Sequence, residues 1–224
     1  MMAITTVYII RHGLTINAEQ KRYIGHLDVP LSLEGEKQME RQASHLIHET
    51  NEICLLTGAD NLLDSVYCSD LLRATKSAEI IGRPFGLKPV IVPDFRECSF
   101  GHWEGMTFDE IMQTYPGELD AWSMDPLKFF PVGGESIMDV RSRVMPVFYN
   151  IIAKKSGKKI AIVAHGGVNR IILCELMGIP LQNIFRIEQD FSALNVCVFY
   201  DEVPVLKRMN YAFTTNRKKF KRVH

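Results

Sequence analysis

Neither sign of charge predominates in this chain. The 26 lysines and arginines are matched by 26 aspartates and glutamates, for a formal net charge of zero. The basic footprint of a protein that binds nucleic acid or an anionic membrane surface is therefore missing, and neither partner is expected. The tail Asn216 to His224, NRKKFKRVH, is a local exception with five cations; it reads as a solvated terminus rather than a binding arm. Cysteine is sparse. Cys54, Cys68, Cys98, Cys174 and Cys197 are odd in number, scattered, and form no C-x-x-C pair. That pattern excludes a disulfide framework and fits reduced thiols in a cytoplasmic protein. No apolar stretch approaches the roughly 20 residues that span a bilayer. The opening MMAITTVYII has no basic n-region and no small-residue cleavage pattern, so it is not read as a secretory signal. Internal repeats, low-complexity tracts and linkers are also missing. Residues 1–224 are accordingly expected to form one domain.

What the chain does contain is a series of short apolar runs, within a sequence that is 46% hydrophobic. They lie at Val7 to Ile10, Ser65 to Cys68, Val90 to Val92, Ile160 to Ala164, Asn195 to Tyr200 and Pro204 to Met209. Several are continuous rather than alternating, as in strands buried on both faces. Helical patterns separate them. Leu33 to His48 follows Ser32, an N-cap candidate. Leu71 to Ile81 follows Ser69-Asp70. Ile137 to Lys155 follows Ser136, with Asp139 placed for a capping box. Val168 to Met177 stops at Gly178, with Pro180 beyond. Strands alternating with helices predict βαβ units and a mostly parallel sheet. The last two runs are separated by Asp201-Glu202-Val203 and predict a hairpin. Gly101 to Glu135 is rich in aromatics and prolines, with a short helical pattern at Phe108 to Thr114. It reads as a cap-like insertion over one end of the sheet.

Ligands of parallel α/β sheets bind beyond the carboxyl ends of the strands. Three strand ends deliver polar groups there. Arg11, His12 and Gly13 follow the first run. Cys68-Ser69-Asp70 leads into a helix bearing Arg73. His165, Gly166 and Gly167 follow the fourth. Glycine permits close backbone approach, a helix N-terminus offers free N–H groups, and arginine forks match phosphoryl oxygens. Together they describe a site for a dianion. Such a site needs cations, yet two histidines are present. Nearby positive charge disfavours protonation of an imidazole and keeps it nucleophilic. One histidine can attack phosphorus while arginines and the second histidine neutralise the equatorial oxygens. Glu97 lies shortly after the third run and can protonate the leaving oxygen; a dianion beside a carboxyl favours its acid form. On this reading no metal and no cofactor is required. His45 and His48 share a helix face but lack a third ligand, and read as solvated. His26 and His102 read as loop residues that could reach the site. Met112, Trp103, Trp122, Phe129 and Phe130 either wall the leaving group or pack the insertion.

Six segments, in order, carry a family resemblance: RHGLT-N at Arg11 to Asn17, RYIGHLDVPLSLEG at Arg22 to Gly35, CSDLLRATKSA at Cys68 to Ala78, ECSFGHWEG at Glu97 to Gly105, GGES at Gly133 to Ser136, and VAHGG at Val163 to Gly167. Together they resemble the histidine phosphatase superfamily, with its phosphoglycerate-mutase-like fold, over nearly the whole chain. The resemblance implies a three-layer α/β/α sandwich with one antiparallel edge strand. It implies that His12 is the nucleophile, that Glu97 is the proton donor, and that Arg11, Arg73 and His165 hold the phosphoryl group. Asn17 and the Gly166 amide match positions that assist. ECSFGHWEG and HGGVNR stand where the mutases usually have ERxYGxLxG and HGNSLR, so the phosphatase branch is implied. RYIGHLDVPLSLEG is similar to α-ribazole phosphatases and to broad-specificity bacterial phosphatases. The expected partner is a small phosphorylated metabolite. A phosphoglycerate mutase and a non-catalytic phospholigand-binding protein are the alternatives. Homodimers would form through the terminal hairpin or an aromatic surface.

Overall fold

The computed structural model describes residues 3–57 and 63–213, with 51–57 as backbone. All six expected strands are present and join one sheet. They are β1 (Ile4–Arg11), β2 (Ser65–Cys68), β3 (Val90–Ile91), β4 (Lys159–Ala164), β5 (Leu194–Tyr200) and β6 (Val203–Tyr211). Their order across the sheet is β3-β2-β4-β1-β5-β6. The pairs β3–β2, β2–β4 and β4–β1 are parallel. β5 is antiparallel to both β1 and β6. The antiparallel strand is thus β5, one position in from the edge, and not the edge strand the resemblance implied. The physical reason is the hairpin at Asp201: it reverses the chain a second time and returns β6 to the direction of β1.

Among the described residues six α-helices complete the scaffold: α1 (Leu33–Thr57), α2 (Leu72–Gly82), α3 (Phe108–Thr114), α4 (Glu118–Met124), α5 (Ile137–Lys154) and α6 (Gly166–Met177). Their ends follow local chemistry. The Ser32 hydroxyl accepts the Gly35 N–H at 3.0 Å, capping α1. Ser136 and Asp139 form the reciprocal capping box of α5. Gly178 ends α6 with φ 62°. α1 runs nine residues past its expected end, and α4 was not expected. Gly117 starts α4 in the left-handed region, at φ 87°, a backbone decision that apolar periodicity does not display.

Alternation along the central strands divides the interior into two layers. Val7, Ile9, Ile160 and Ile162 pack with Val144 and Phe148 of α5 and Ile172 of α6. Tyr8, Ile10, Ala161 and Val163 pack with Met39 and Leu46 of α1 and Ile81 of α2. Helices therefore cover both faces, giving the three-layer sandwich. Each fully buried Ile or Leu side chain contributes about 1.5–3 kcal/mol, so sheet and helices stabilise one another. Cys68, Cys174 and Cys197 are buried and reduced, and Cys98 is half-buried and reduced. The Cys54 side chain and the basic tail from Asn216 lie outside the described residues.

The segment between β3 and α5 has its own small core. Trp103, Ile111 and Leu119 are buried there, with Tyr23, Trp122 and Phe129 packed around them. The Trp103 indole N–H donates to Glu118 at 2.8 Å. Trp103, Trp122 and Phe129 thus hold the insertion together, while Met112 and Phe130 are exposed. None of the five lines the main cleft described below. Among the described residues, no helix is long and apolar enough to cross a membrane.

Candidate active site

β1, β2 and β4 end side by side at one edge of the sheet. The His12 N–H donates to the Ala164 carbonyl and the Ser69 N–H to that of Val163, so the three strand ends are tied together. A cleft of about 520 Å³ opens beside them. Arg11, His12, Asn17, Arg73 and Glu97 line it, together with Arg22, Tyr23, Asp28, Phe100 and Phe191. His165 and Gly166 are fully buried next to it.

His12 is 5% exposed. Its Nδ1 lies 2.8 Å from the Gly13 carbonyl oxygen. A carbonyl only accepts, so in the neutral ring Nδ1 carries the proton and Nε2 keeps the lone pair. Burial holds the His12 pKa well below the usual imidazole value, and the charges of Arg73 and Arg11 depress it further. The cations expected to do this act in second place. The His165 ring meets His12 edge-on, with centroids 5.1 Å apart. Its Nε2 is hydrogen-bonded to Ser69 Oγ at 2.8 Å, and its Nδ1 is buried without a partner among the described residues. Burial, then Arg73, lowers its pKa as well.

Arg11 ends its strand and escapes the alternation that would separate it from His12. Its guanidinium bonds the Gln189 carbonyl and lies 4.0 Å from the centre of the Phe191 ring. Arg73 is 2% exposed. It donates to the carbonyls of Leu27 and Gly25 at 2.7 and 2.6 Å. Those carbonyls belong to the Arg22 to Gly35 stretch, and Asp28 of the same stretch accepts the Leu72 N–H at the start of α2. This long-range tie gives that segment its place beside the site. Asn17 has φ 56° and makes no side-chain cap bond.

Glu97 is held by two backbone donors. The Cys98 N–H reaches Oε1 at 2.9 Å and the Gly167 N–H reaches Oε2 at 3.0 Å. The surface pairing with Arg96 that would make it a bystander is not formed, because Arg96 grips Asp70 with both prongs. Gly13 also takes a different role from a mere gap beside the ligand. A Cβ there would collide with the Gly35 carbonyl at the start of α1, and a Cβ on Gly35 would collide with the Leu14 backbone. The two glycines interlock strand end and helix start. His26 Nε2 contacts the Glu97 carbonyl and His102 pairs with Glu118. His45 pairs with Glu49, and among the described residues no three His, Cys, Asp or Glu side chains gather as metal ligands.

Sequence reasoning missed four residues at this site. Ser69 orients His165, and Ser77 accepts the Gly13 N–H at 3.1 Å. Phe191 covers Arg11, and Arg170 borders Glu97. The position of Arg170 one turn into the helix after His165-Gly166 was the signal that could have found it.

Residues 7–212 match the model of the histidine phosphatase superfamily, branch 1. A glucosyl-3-phosphoglycerate phosphatase of Mycolicibacterium vanbaalenii is 31% identical, over 81% of this chain and 78% of its own length. The adenosylcobalamin/α-ribazole phosphatase of Escherichia coli K12 is 28% identical, over 85% and 89%. The solved structure of a mycobacterial glucosyl-3-phosphoglycerate phosphatase in complex with VO3 superposes with a TM-score of 0.78 at 26% identity. That superposition covers 92% of this chain and 98% of the other.

Proposed function

The chain belongs to the histidine phosphatase superfamily, and on that premise we propose that it hydrolyses a small metabolite phosphomonoester through a phosphohistidine at His12. The observation that carries this reading is the His12 tautomer. With Nδ1–H committed to the Gly13 carbonyl, Nε2 is the nucleophile, in a cleft that also presents Arg11 and Arg73.

The phosphoryl group sits against Arg11 and Arg73, with the Gly166 amide and Asn17 assisting. His165 supports His12 from the side and contributes its unpartnered Nδ1. The Nε2 lone pair forms the N–P bond as the P–O ester bond breaks. Glu97 gives its proton to the departing alkoxide. Water then attacks phosphorus and loses a proton to the Glu97 carboxylate. The N–P bond breaks, and inorganic phosphate and neutral His12 are regenerated. The arginines supply the charge stabilisation that a divalent metal supplies in other phosphoryl transfers. The insertion from Gly101 to Glu135 acts as a cap on the leaving-group side, where Phe100 and Gly105 contribute to the wall.

The test is rapid quench with a labelled aryl phosphate, in buffer containing EDTA. Phosphate release is expected together with an acid-labile protein-bound label, both lost in His12→Ala. An acid-stable label, or turnover abolished by EDTA, contradicts the reading. Interconversion of phosphoglycerates without phosphate release would identify a mutase instead.

A further inference from the structure

Arg11 takes its orientation from the loop Gln189 to Ala193, which precedes β5. Its guanidinium donates to the Gln189 carbonyl, and the Phe191 ring lies over it. The main chain of the same loop is tied to the end of β1. The Ser192 N–H donates to the His12 carbonyl at 3.0 Å, and the Arg11 N–H donates to the Ala193 carbonyl at 2.9 Å. The place of this loop therefore sets the place of both residues.

Side-chain amides hold the loop. Gln189 and Asn195 are buried and exchange two hydrogen bonds, at 2.9 and 2.8 Å. Asn195 Nδ2 also donates to the Ile9 carbonyl of β1, at 3.0 Å. Gln42 of α1 donates to the Ser192 carbonyl at 2.8 Å.

Asn210 of β6 completes this set. Leu194 pairs with Tyr211 and Val196 with Arg208, so β6 carries an extra residue opposite Asn195. Such bulges re-aim a side chain. Asn210 has φ 52°, in the left-handed region that asparagine enters more readily than most side chains. Its N–H donates to Asn195 Oδ1 at 2.9 Å. Its own Oδ1 accepts the Asp190 N–H at 2.7 Å, and its Nδ2 donates to the Asp190 carboxylate at 3.0 Å. The Asp190 N–H and the Gln189 carbonyl belong to one planar trans peptide unit and point in opposite directions. Asn210 holds one side of that plane, and Arg11 bonds the other.

We propose that Asn210 is a positioning residue for the phosphoryl transfer: it fixes the peptide plane whose carbonyl orients the Arg11 guanidinium. The inference rests on the phosphatase reading and extends it to a residue that does not line the cleft. A guanidinium fork must face its phosphoryl oxygens to bond two of them, so a rotated peptide plane costs Arg11 its aim. The Asp190 carboxylate, whose charge already acts on Arg11, is restrained by the same side chain.

Asn210→Gly is the test. Glycine keeps the left-handed backbone and the N–H to Asn195, and removes only the two side-chain bonds. The kcat/KM for an aryl phosphate is expected to fall about tenfold, and the inhibition constant of inorganic phosphate to rise by a similar factor. In an Arg11→Met background the same substitution is expected to change kcat/KM by less than about twofold, because the group it positions is gone. Wild-type kinetics in Asn210→Gly overturn the inference, as does an unchanged phosphate inhibition constant. A loss of the same factor with and without Arg11 also overturns it, since general loosening of the fold would give that result. If Asn210→Gly does not fold, the cycle is run with Asn210→Asp, which sets a carboxylate against Asp190, and is read in the same way. Failure of the wild type to release phosphate from any ester would instead sink the phosphatase reading.

Discussion

The Gly167 amide donates to Glu97 Oε2 at 3.0 Å, and the space that a Cβ on Gly167 would need is occupied by the same carboxylate. The first turn of α6 is therefore shaped around the proposed proton donor. Gly167→Ala should push the end of the Glu97 side chain aside and lower kcat by about 10- to 100-fold, since an ångström of misplacement has that effect. Stability should hold or rise by up to about 1 kcal/mol, because alanine favours the helix. Steady-state kinetics alongside thermal melting checks the pair of outcomes; activity equal to wild type would remove Glu97 from the chemistry.

The interlock of Gly13 and Gly35 makes the opposite prediction. A methyl group on Gly35 meets the Leu14 backbone, which cannot swing away as a side chain can. Gly35→Ala should cost about 1–3 kcal/mol as overpacking, despite the gain in helix propensity. Denaturant unfolding measures it, and an unchanged midpoint would show that α1 slides freely against β1.

The acid limb of activity should report the cations. Burial, Arg73 and Arg11 all depress the His12 pKa, so His12 stays neutral below pH 6.5. The limb of kcat/KM against pH should therefore fall well on the acid side of 6.5. Removing one cation, in Arg73→Met, should lower the rate and move the limb toward alkaline pH. A limb that stays in place would show that another group titrates there.

Stability should follow the same two imidazoles. His12 and His165 both have folded pKa values below the unfolded value. Above pH 6.5 both states leave them neutral and nothing is lost. Below it the unfolded chain binds protons that the folded chain refuses, and stability falls by up to about 1.4 kcal/mol per pH unit for each histidine. Melting temperatures between pH 7 and 5 should fall in the wild type and fall less steeply in His12→Gln. Identical slopes would mean that His12 protonates as readily when folded as when unfolded.

Much of this protein was legible in one dimension because the determining chemistry is local. Ser32, Ser136 with Asp139, and Gly178 mark helix ends through contacts only a few residues long. Continuous apolar runs announced buried strands, and strand ends bearing Arg11-His12-Gly13 and His165-Gly166-Gly167 pointed to an anion site before any contact was known. The sequence by itself therefore determined the sheet, its two helical layers and which residues stand at the strand ends that the proposed chemistry uses. Tertiary structure alone decided how those residues are used. Arg73 is held by carbonyls 46 and 48 positions away. Glu97 is gripped by Gly167, 70 positions away, while Arg96 pairs with Asp70. Gly13 is required by Gly35, and Arg170 opens onto a cavity assembled from α4, α5, α6 and the insertion. None of these follows from spacing, since a hydrogen bond or collision depends on which distant backbone the packed layers bring within a few ångströms.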